Sequence, residues 1–185
     1  NLSIRFGGLK AVNGISFDVP EKTIFSIIGP NGSGKTTIFN MISGIYKPDT
    51  GAIMLNGENI VGLTPDKIAR RGIARTFQNI ELFKNMTVMD NLLLGRHRHR
   101  GSNLFQEMIF SPSVRQQERR SRERAERIID FLDIQAYRDQ VVARLSFGIQ
   151  KRVELARALV ANPRLILLDE PAGGLSHMEL AQLGT

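Results

Sequence analysis

The chain has no cysteine among its 185 residues, which excludes disulfide bonds and thiolate metal sites and accords with a reducing compartment. It also lacks any apolar run long enough to span a bilayer. Stretches such as Ile24–Ile28 and Leu165–Leu168 are far too short. No charged-then-apolar leader opens it at Asn1, and it carries no internal repeat and no low-complexity linker. A membrane connection is therefore expected to come through a partner. Hydrophobic residues make up 42% and charged residues 23%, an ordinary globular balance. The length suits one domain, or one domain with an inserted subdomain, around a sizeable core.

The formal net charge of +7 calls for an acidic partner or a polyphosphate ligand. Most of the excess is local. Arg96-His97-Arg98-His99-Arg100 is one cluster, and Arg115 to Arg127 is another, with Glu118, Glu123 and Glu126 interleaved. Mixed signs at helical spacing read as a solvated helix face rather than a nucleic-acid surface.

The first stretch reads as short strands joined by turns. Ile15–Val19 alternates apolar and polar before a turn at Pro20-Glu21-Lys22. Ala52–Leu55 runs into Asn56-Gly57, a strong hairpin signal. Ile24–Ile28 is nearly all apolar, as expected of a strand buried on both faces. A helix follows with Ile38, Met41 and Ile42 on one face and Gly44 as its stop. From about Asn85 to Arg144 the pattern is helical and polar, with Ile128, Ile129 and Leu132 as an apolar stripe and a helix start at Ser111-Pro112-Ser113. A further helix is expected over Ile149–Val160, closed by Asn162-Pro163, and then a strand over Leu165–Leu168. The order predicts an α/β core with a helical insertion.

Between the expected strand and helix lies Gly29-Pro30-Asn31-Gly32-Ser33-Gly34-Lys35-Thr36-Thr37, a complete phosphate-binding loop pattern. Glycine lets backbone N–H groups point inward around phosphate oxygens without a Cβ in the way. The helix start adds its positive dipole end. The expected nucleotide contacts are Asn31, Gly32, Ser33, Gly34, Lys35, Thr36 and Thr37. Lys35 places a cation against the β- and γ-phosphates, and the Thr36 hydroxyl is a Mg²⁺ ligand. Asp169 and Glu170 end the second apolar strand, where open α/β sheets bind ligands. Asp169 would hold Mg²⁺ through water, and Glu170 would polarise the attacking water as general base. Alone, each pattern competes with a bland reading, a chance Gly-rich turn or a surface Asp-Glu pair. Their joint occurrence favours the nucleotide.

Leu145-Ser146-Phe147-Gly148-Ile149-Gln150 resembles the signature motif of ABC ATPases, and Arg75-Thr76-Phe77-Gln78 resembles their glutamine loop. Phe6, with Val12 nearby, falls where that family places its adenine-stacking aromatic. The resemblance spans essentially the whole chain, with the motifs in order. It implies a single ABC nucleotide-binding domain over residues 1–185, with a P-loop NTPase (RecA-like) core, an antiparallel β subdomain and an inserted α-helical subdomain. Residues 1–84 would hold the β subdomain and the first part of the core, 85–144 the helical subdomain, and 145–185 the signature helix, Asp-Glu strand and D-loop. It also implies head-to-tail pairing with a second ATPase subunit, identical or not. Ser146 and the backbone of Gly148 would then face a partner's γ-phosphate, and Gln78 would touch Mg²⁺ and the lytic water.

Gly29–Gly34, Gly72–Gln78, Met86–Leu92 and Lys151–Arg157 are similar to the branched-chain amino acid importer group. That likeness implies permease partners, a periplasmic solute-binding protein acting indirectly, and a place on the cytoplasmic face of the membrane. Phe147 replaces the first signature glycine, Ile149 stands where glutamine is usual, and Ser176 replaces the usual D-loop Asp or Asn. The family's switch histidine lies beyond Thr185, and His177 comes too early to be that residue, so the domain is expected to be C-terminally incomplete and slow to hydrolyse ATP. The competing reading is an ABC-type ATPase acting on nucleic acid. It would need a coiled-coil or metal-binding insertion between Gln78 and Leu145, where there is no Cys and no sustained heptad pattern.

Overall fold

The computed structural model describes residues 1–76, 80–96 and 112–169. The chain divides into two compact units, Asn1–Ile73 and Ala74–Thr185.

The first unit opens with an antiparallel hairpin of β1 (Leu2–Phe6) and β2 (Leu9–Ile15). Residues 7 and 8 make the turn, so Phe6 and Leu9 pair at the closed end and Leu2 pairs with Ile15 at the open end. Leu2, Ile4 and Val12 are buried with Ile38 and Met41 of α1 (Lys35–Ile42). The apolar face expected of that helix is thus the one that meets the hairpin. It stops as expected, with the Gly44 N–H donating to the Met41 carbonyl at 3.2 Å. A two-residue hairpin joins β3 (Met54–Leu55) to β4 (Glu58–Asn59). Asn56 and Gly57, both at positive φ, form its turn, as the Asn-Gly signal required. Helix α2 (Pro65–Arg70) follows, anchored by buried Ile68.

Two strand expectations are corrected. Residues Ile15–Val19 were expected as a strand, but β2 ends at Ile15, and Phe17 and Val19 are exposed. The hairpin at Gly7-Gly8 places the paired segment earlier than the alternation suggested. Ile24–Ile28 forms no strand: Ile24 is fully exposed and Ile28 92% exposed, while Phe25 stacks on Phe17 with ring centroids 5.1 Å apart. A strand exists only through hydrogen bonds to a neighbour, and no strand among the described residues pairs with this run. Only Ile27 packs against the core of the unit.

The second unit is helical around a compact core. Helix α3 (Val88–Gly95) is capped by Thr87, whose hydroxyl accepts from the Asp90 N–H at 3.1 Å. Buried Asn91 donates to the Phe83 and Thr87 carbonyls and accepts from the Phe83 N–H, which ties the preceding loop to the helix. Helix α4 starts at the expected proline (Pro112–Phe131), and α5 (Phe147–Val160) exceeds the expected helix by only two residues. Val88 and Leu92 of α3, Ala125 and Ile129 of α4, and Val153, Ala156 and Val160 of α5 share one cluster. Ile128 and Leu132 flank it, so the predicted stripe does face the core. Strands β5 (Ile73–Arg75) and β6 (Leu165–Leu167) lie side by side, continued by a Thr76 N–H to Leu167 carbonyl bond of 3.0 Å.

The charged helix face behaves as its pattern suggested. Arg119 pairs with Glu123 one turn on, and Arg138 pairs with Glu126 at 2.8 Å. Arg96 turns inward instead. Its guanidinium donates to Ser121 Oγ at 3.2 Å and to the Val160 carbonyl at 3.4 Å, at the end of α5, where a cation is favoured by the helix dipole. Burial, and then repulsion from Arg124, pull its pKa below the ordinary arginine value. Residues His97 to Arg100 lie outside the described residues.

Candidate nucleotide site

The phosphate loop is built entirely within the first unit. After a turn at Asn31-Gly32, the chain passes Gly34 in a left-handed conformation and enters α1 at Lys35. The Ser33 N–H closes back on the Pro30 carbonyl at 3.2 Å, and the first full helical bond runs from the Ile38 N–H to the Gly34 carbonyl at 2.9 Å. Gly34 meets two demands at once. Its φ is +91°, and a Cβ there would lie 2.6 Å from the Ala11 carbonyl oxygen and 3.2 Å from Val12 Cγ2. Strand β2 therefore backs the loop directly, and only a residue without a side chain fits between them. Gly32 has φ +81° with open space around it.

Lys35 Nζ donates to the loop's own carbonyls, Gly29 at 2.7 Å and Pro30 at 3.0 Å. Its ammonium thus caps the loop from inside, held by neutral acceptors that an anionic oxygen would outcompete. Asn31, Gly32, Ser33 and Thr36 are exposed, while Thr37 is half-buried. Val12 is 3% exposed and lies beneath the loop. Phe6, at the end of β1, keeps 44% of its surface exposed and meets the Tyr46 ring at 5.1 Å and 68°.

In the second unit, Asp169 is buried just beyond β6 and pairs with Arg75 at 3.0 Å, the two side chains being only 10% and 7% exposed. Sequence reading placed Arg75 in a motif but missed it as the partner of Asp169. The two residues lie far apart in the chain, and only the pairing of β5 with β6 brings them together. Gln78 and Glu170 lie outside the described residues, as do Ser176 and His177.

The signature stretch forms the start of α5. Ser146 is the N-cap, its Oγ accepting from the Ile149 N–H at 3.4 Å. Gln150 Nε2 donates to the Leu145 carbonyl at 2.9 Å, which closes the turn beneath it. Gly148 is buried, Ile149 packs partly on the helical core, and Phe147 is exposed. Lys151 lies 5.8 Å from the Phe147 ring centroid and forms a buried pair with Glu154 at 3.3 Å. Further along, burial pulls the Arg157 guanidinium down from its ordinary value, opposed by the charges of Glu154 and Glu81. Among the described residues no group of three or more His, Cys, Asp or Glu could hold a metal unaided.

A glycine loop in left-handed turns, a lysine opening the following helix and a separately buried strand-end aspartate define a phosphate-loop nucleotide-binding protein. The ABC transporter family matches residues 12–173, and the chain belongs to that family. It is 45% identical over 182 residues to the high-affinity branched-chain amino acid transport ATP-binding protein BraF of Pseudomonas aeruginosa, spanning 98% of this chain and 71% of that protein. The corresponding LivG protein of Escherichia coli strain K12 is 40% identical over the same shares. A nucleotide-free ATP-binding cassette from an ABC transporter superposes with a TM-score of 0.81 at 34% identity, covering 99% of this chain and 72% of that one. A dimeric cassette in a post-hydrolysis state bound to ADP and Pi gives 0.76 at 27% identity, covering 98% and 76%. The α/β P-loop NTPase fold expected from the motifs is therefore the fold of this chain.

Proposed function

We propose that this chain is the ATP-binding and hydrolysing subunit of an ABC importer for branched-chain or related amino acids. The observation that carries this reading is the Gly29–Thr37 loop, whose left-handed glycines and inward lysine form an anion cradle at the start of α1. The solute class is supported by the names of relatives that are 40–45% identical.

Each motif residue takes a defined part. Lys35 exchanges its two carbonyl acceptors for phosphate oxygens, gaining charge-assisted bonds. Phe6 offers its exposed ring to the base. Thr36 offers an exposed hydroxyl and Asp169 a carboxylate, hard oxygen donors of the kind Mg²⁺ takes. When bound, Mg²⁺ neutralises charge on the phosphate oxygens. Glu170 accepts the proton of the attacking water, which Gln78 helps to orient. Ser146 accepts from the Ile149 N–H through a lone pair, so its hydroxyl proton stays available for the γ-phosphate held by a second subunit. The Gly148 N–H adds a second donor at the same helix start.

Two such ATPase subunits close on ATP and work through permease subunits at the cytoplasmic face of the membrane, with a periplasmic solute-binding protein acting indirectly. No helix among the described residues is long and apolar enough to cross a membrane, which accords with a peripheral role. Residues 85–144 serve as the helical subdomain. The test is Glu170→Gln. It should keep Mg·ATP binding, abolish phosphate release and accumulate ATP-bound dimers on size-exclusion chromatography. Continued hydrolysis with monomers only would refute Glu170 as the base and closure as the mechanism.

A further inference from the structure

Resting on the assignment of Phe6 as the base-stacking ring, we infer that Tyr46 is a positioning residue that sets base recognition, a role the loop motif does not include. A solvent-exposed phenylalanine at the tip of a hairpin is a poor platform unless something holds its ring. Tyr46 meets Phe6 at 5.1 Å and 68°, an edge arrangement that fixes the ring while Phe6 remains 44% exposed.

The backbone places Tyr46 there deliberately. Beyond α1, the Ile45 and Tyr46 N–H groups both donate to the Asn40 carbonyl, at 2.9 and 3.1 Å. A few residues on, the chain is stitched to β1. The Asp49 N–H donates to the Ser3 carbonyl at 2.9 Å, the Ser3 N–H to the Thr50 carbonyl at 3.1 Å, and the Arg5 N–H to Asp49 Oδ2 at 2.8 Å. Tyr46 therefore lies on a segment pinned at one end to the helix that begins in the phosphate loop and at the other to the strand that carries Phe6. That segment fixes the spacing between triphosphate and base. The contact should act on the purine alone and leave the triphosphate untouched.

Isothermal titration of the 185-residue chain with Mg·ATP and with Mg·tripolyphosphate, which has no base, separates the two contributions. Loss of the platform in Phe6→Ala should weaken ATP by about 5- to 150-fold relative to tripolyphosphate. Tyr46→Leu, which keeps bulk but removes the ring, should weaken ATP by about 2- to 10-fold on the same ratio. Tyr46→Phe should restore the ratio to wild type. Wild-type discrimination in Tyr46→Leu, with Phe6→Ala defective, would overturn the role of Tyr46 and leave Phe6 standing. An equal loss of tripolyphosphate and ATP in Tyr46→Leu would make Tyr46 a residue of the fold only, and would also overturn it. No effect in Phe6→Ala would refute the platform itself, and Tyr46's role with it.

Discussion

Replacing Gly34 by alanine tests how the loop is built, and Gly32→Ala provides the control. Both glycines have positive φ, so either substitution costs about 1–2 kcal/mol in backbone strain. At Gly32 the new methyl meets nothing within 4 Å, so strain is the whole effect. At Gly34 it would lie 2.6 Å from the Ala11 carbonyl oxygen, a backbone atom that cannot rotate aside, and 3.2 Å from buried Val12. Forcing an extra methyl into a filled space costs about 1–3 kcal/mol more. Gly34→Ala should therefore destabilise by about 2–5 kcal/mol, against about 1–2 for Gly32→Ala. At about 2–4 °C per kcal/mol for a chain of this size, Tm should fall about 2–12 °C further in Gly34→Ala. Differential scanning calorimetry of the two variants beside wild type reads this directly. Equal shifts would refute the packing of β2 against the loop.

Two further outcomes follow from buried contacts in the second unit. Arg75→Met leaves the Asp169 carboxylate buried without that cation and should destabilise by about 3–5 kcal/mol in urea titration; adding Asp169→Asn should recover part of the loss, and strict additivity would show that the two side chains do not couple. Ser146→Ala removes the N-cap of α5 and should cost about 1 kcal/mol by the same measurement, whereas Ser146→Arg should abolish ATP-driven pairing. Normal turnover in Ser146→Arg would contradict the role of the signature.

The parts of the fold legible in the sequence were those whose signals are local. Asn56-Gly57 demanded its hairpin through positive φ, Gly44 stopped α1, and the stripe of Ile128, Ile129 and Leu132 found the helical core. The phosphate loop was legible for the same reason, since its glycines, lysine and helix start are contiguous. Ile24–Ile28 was not, because an apolar run reports a tendency to be buried and says nothing of whether a neighbouring strand is there to pair with it. The Leu9–Ile15 strand was hidden by its polar residues, and its register comes from the Gly7-Gly8 turn. Tyr46 against Phe6 and Arg75 against Asp169 were also out of reach, since both contacts join residues distant in the chain.

The central claim is that the Gly29–Thr37 loop holds the triphosphate of ATP, and titration with a fluorescent Mg·ATP analogue tests it most directly. Lys35 Nζ already reaches into the loop through two hydrogen bonds, and a hydrogen bond from a charged donor contributes about 1.5–3 kcal/mol. Lys35→Ala should accordingly weaken binding roughly 10- to 150-fold, with the thermal unfolding of the chain little changed. Affinity equal to wild type in a folded Lys35→Ala chain would contradict the account and move the nucleotide elsewhere.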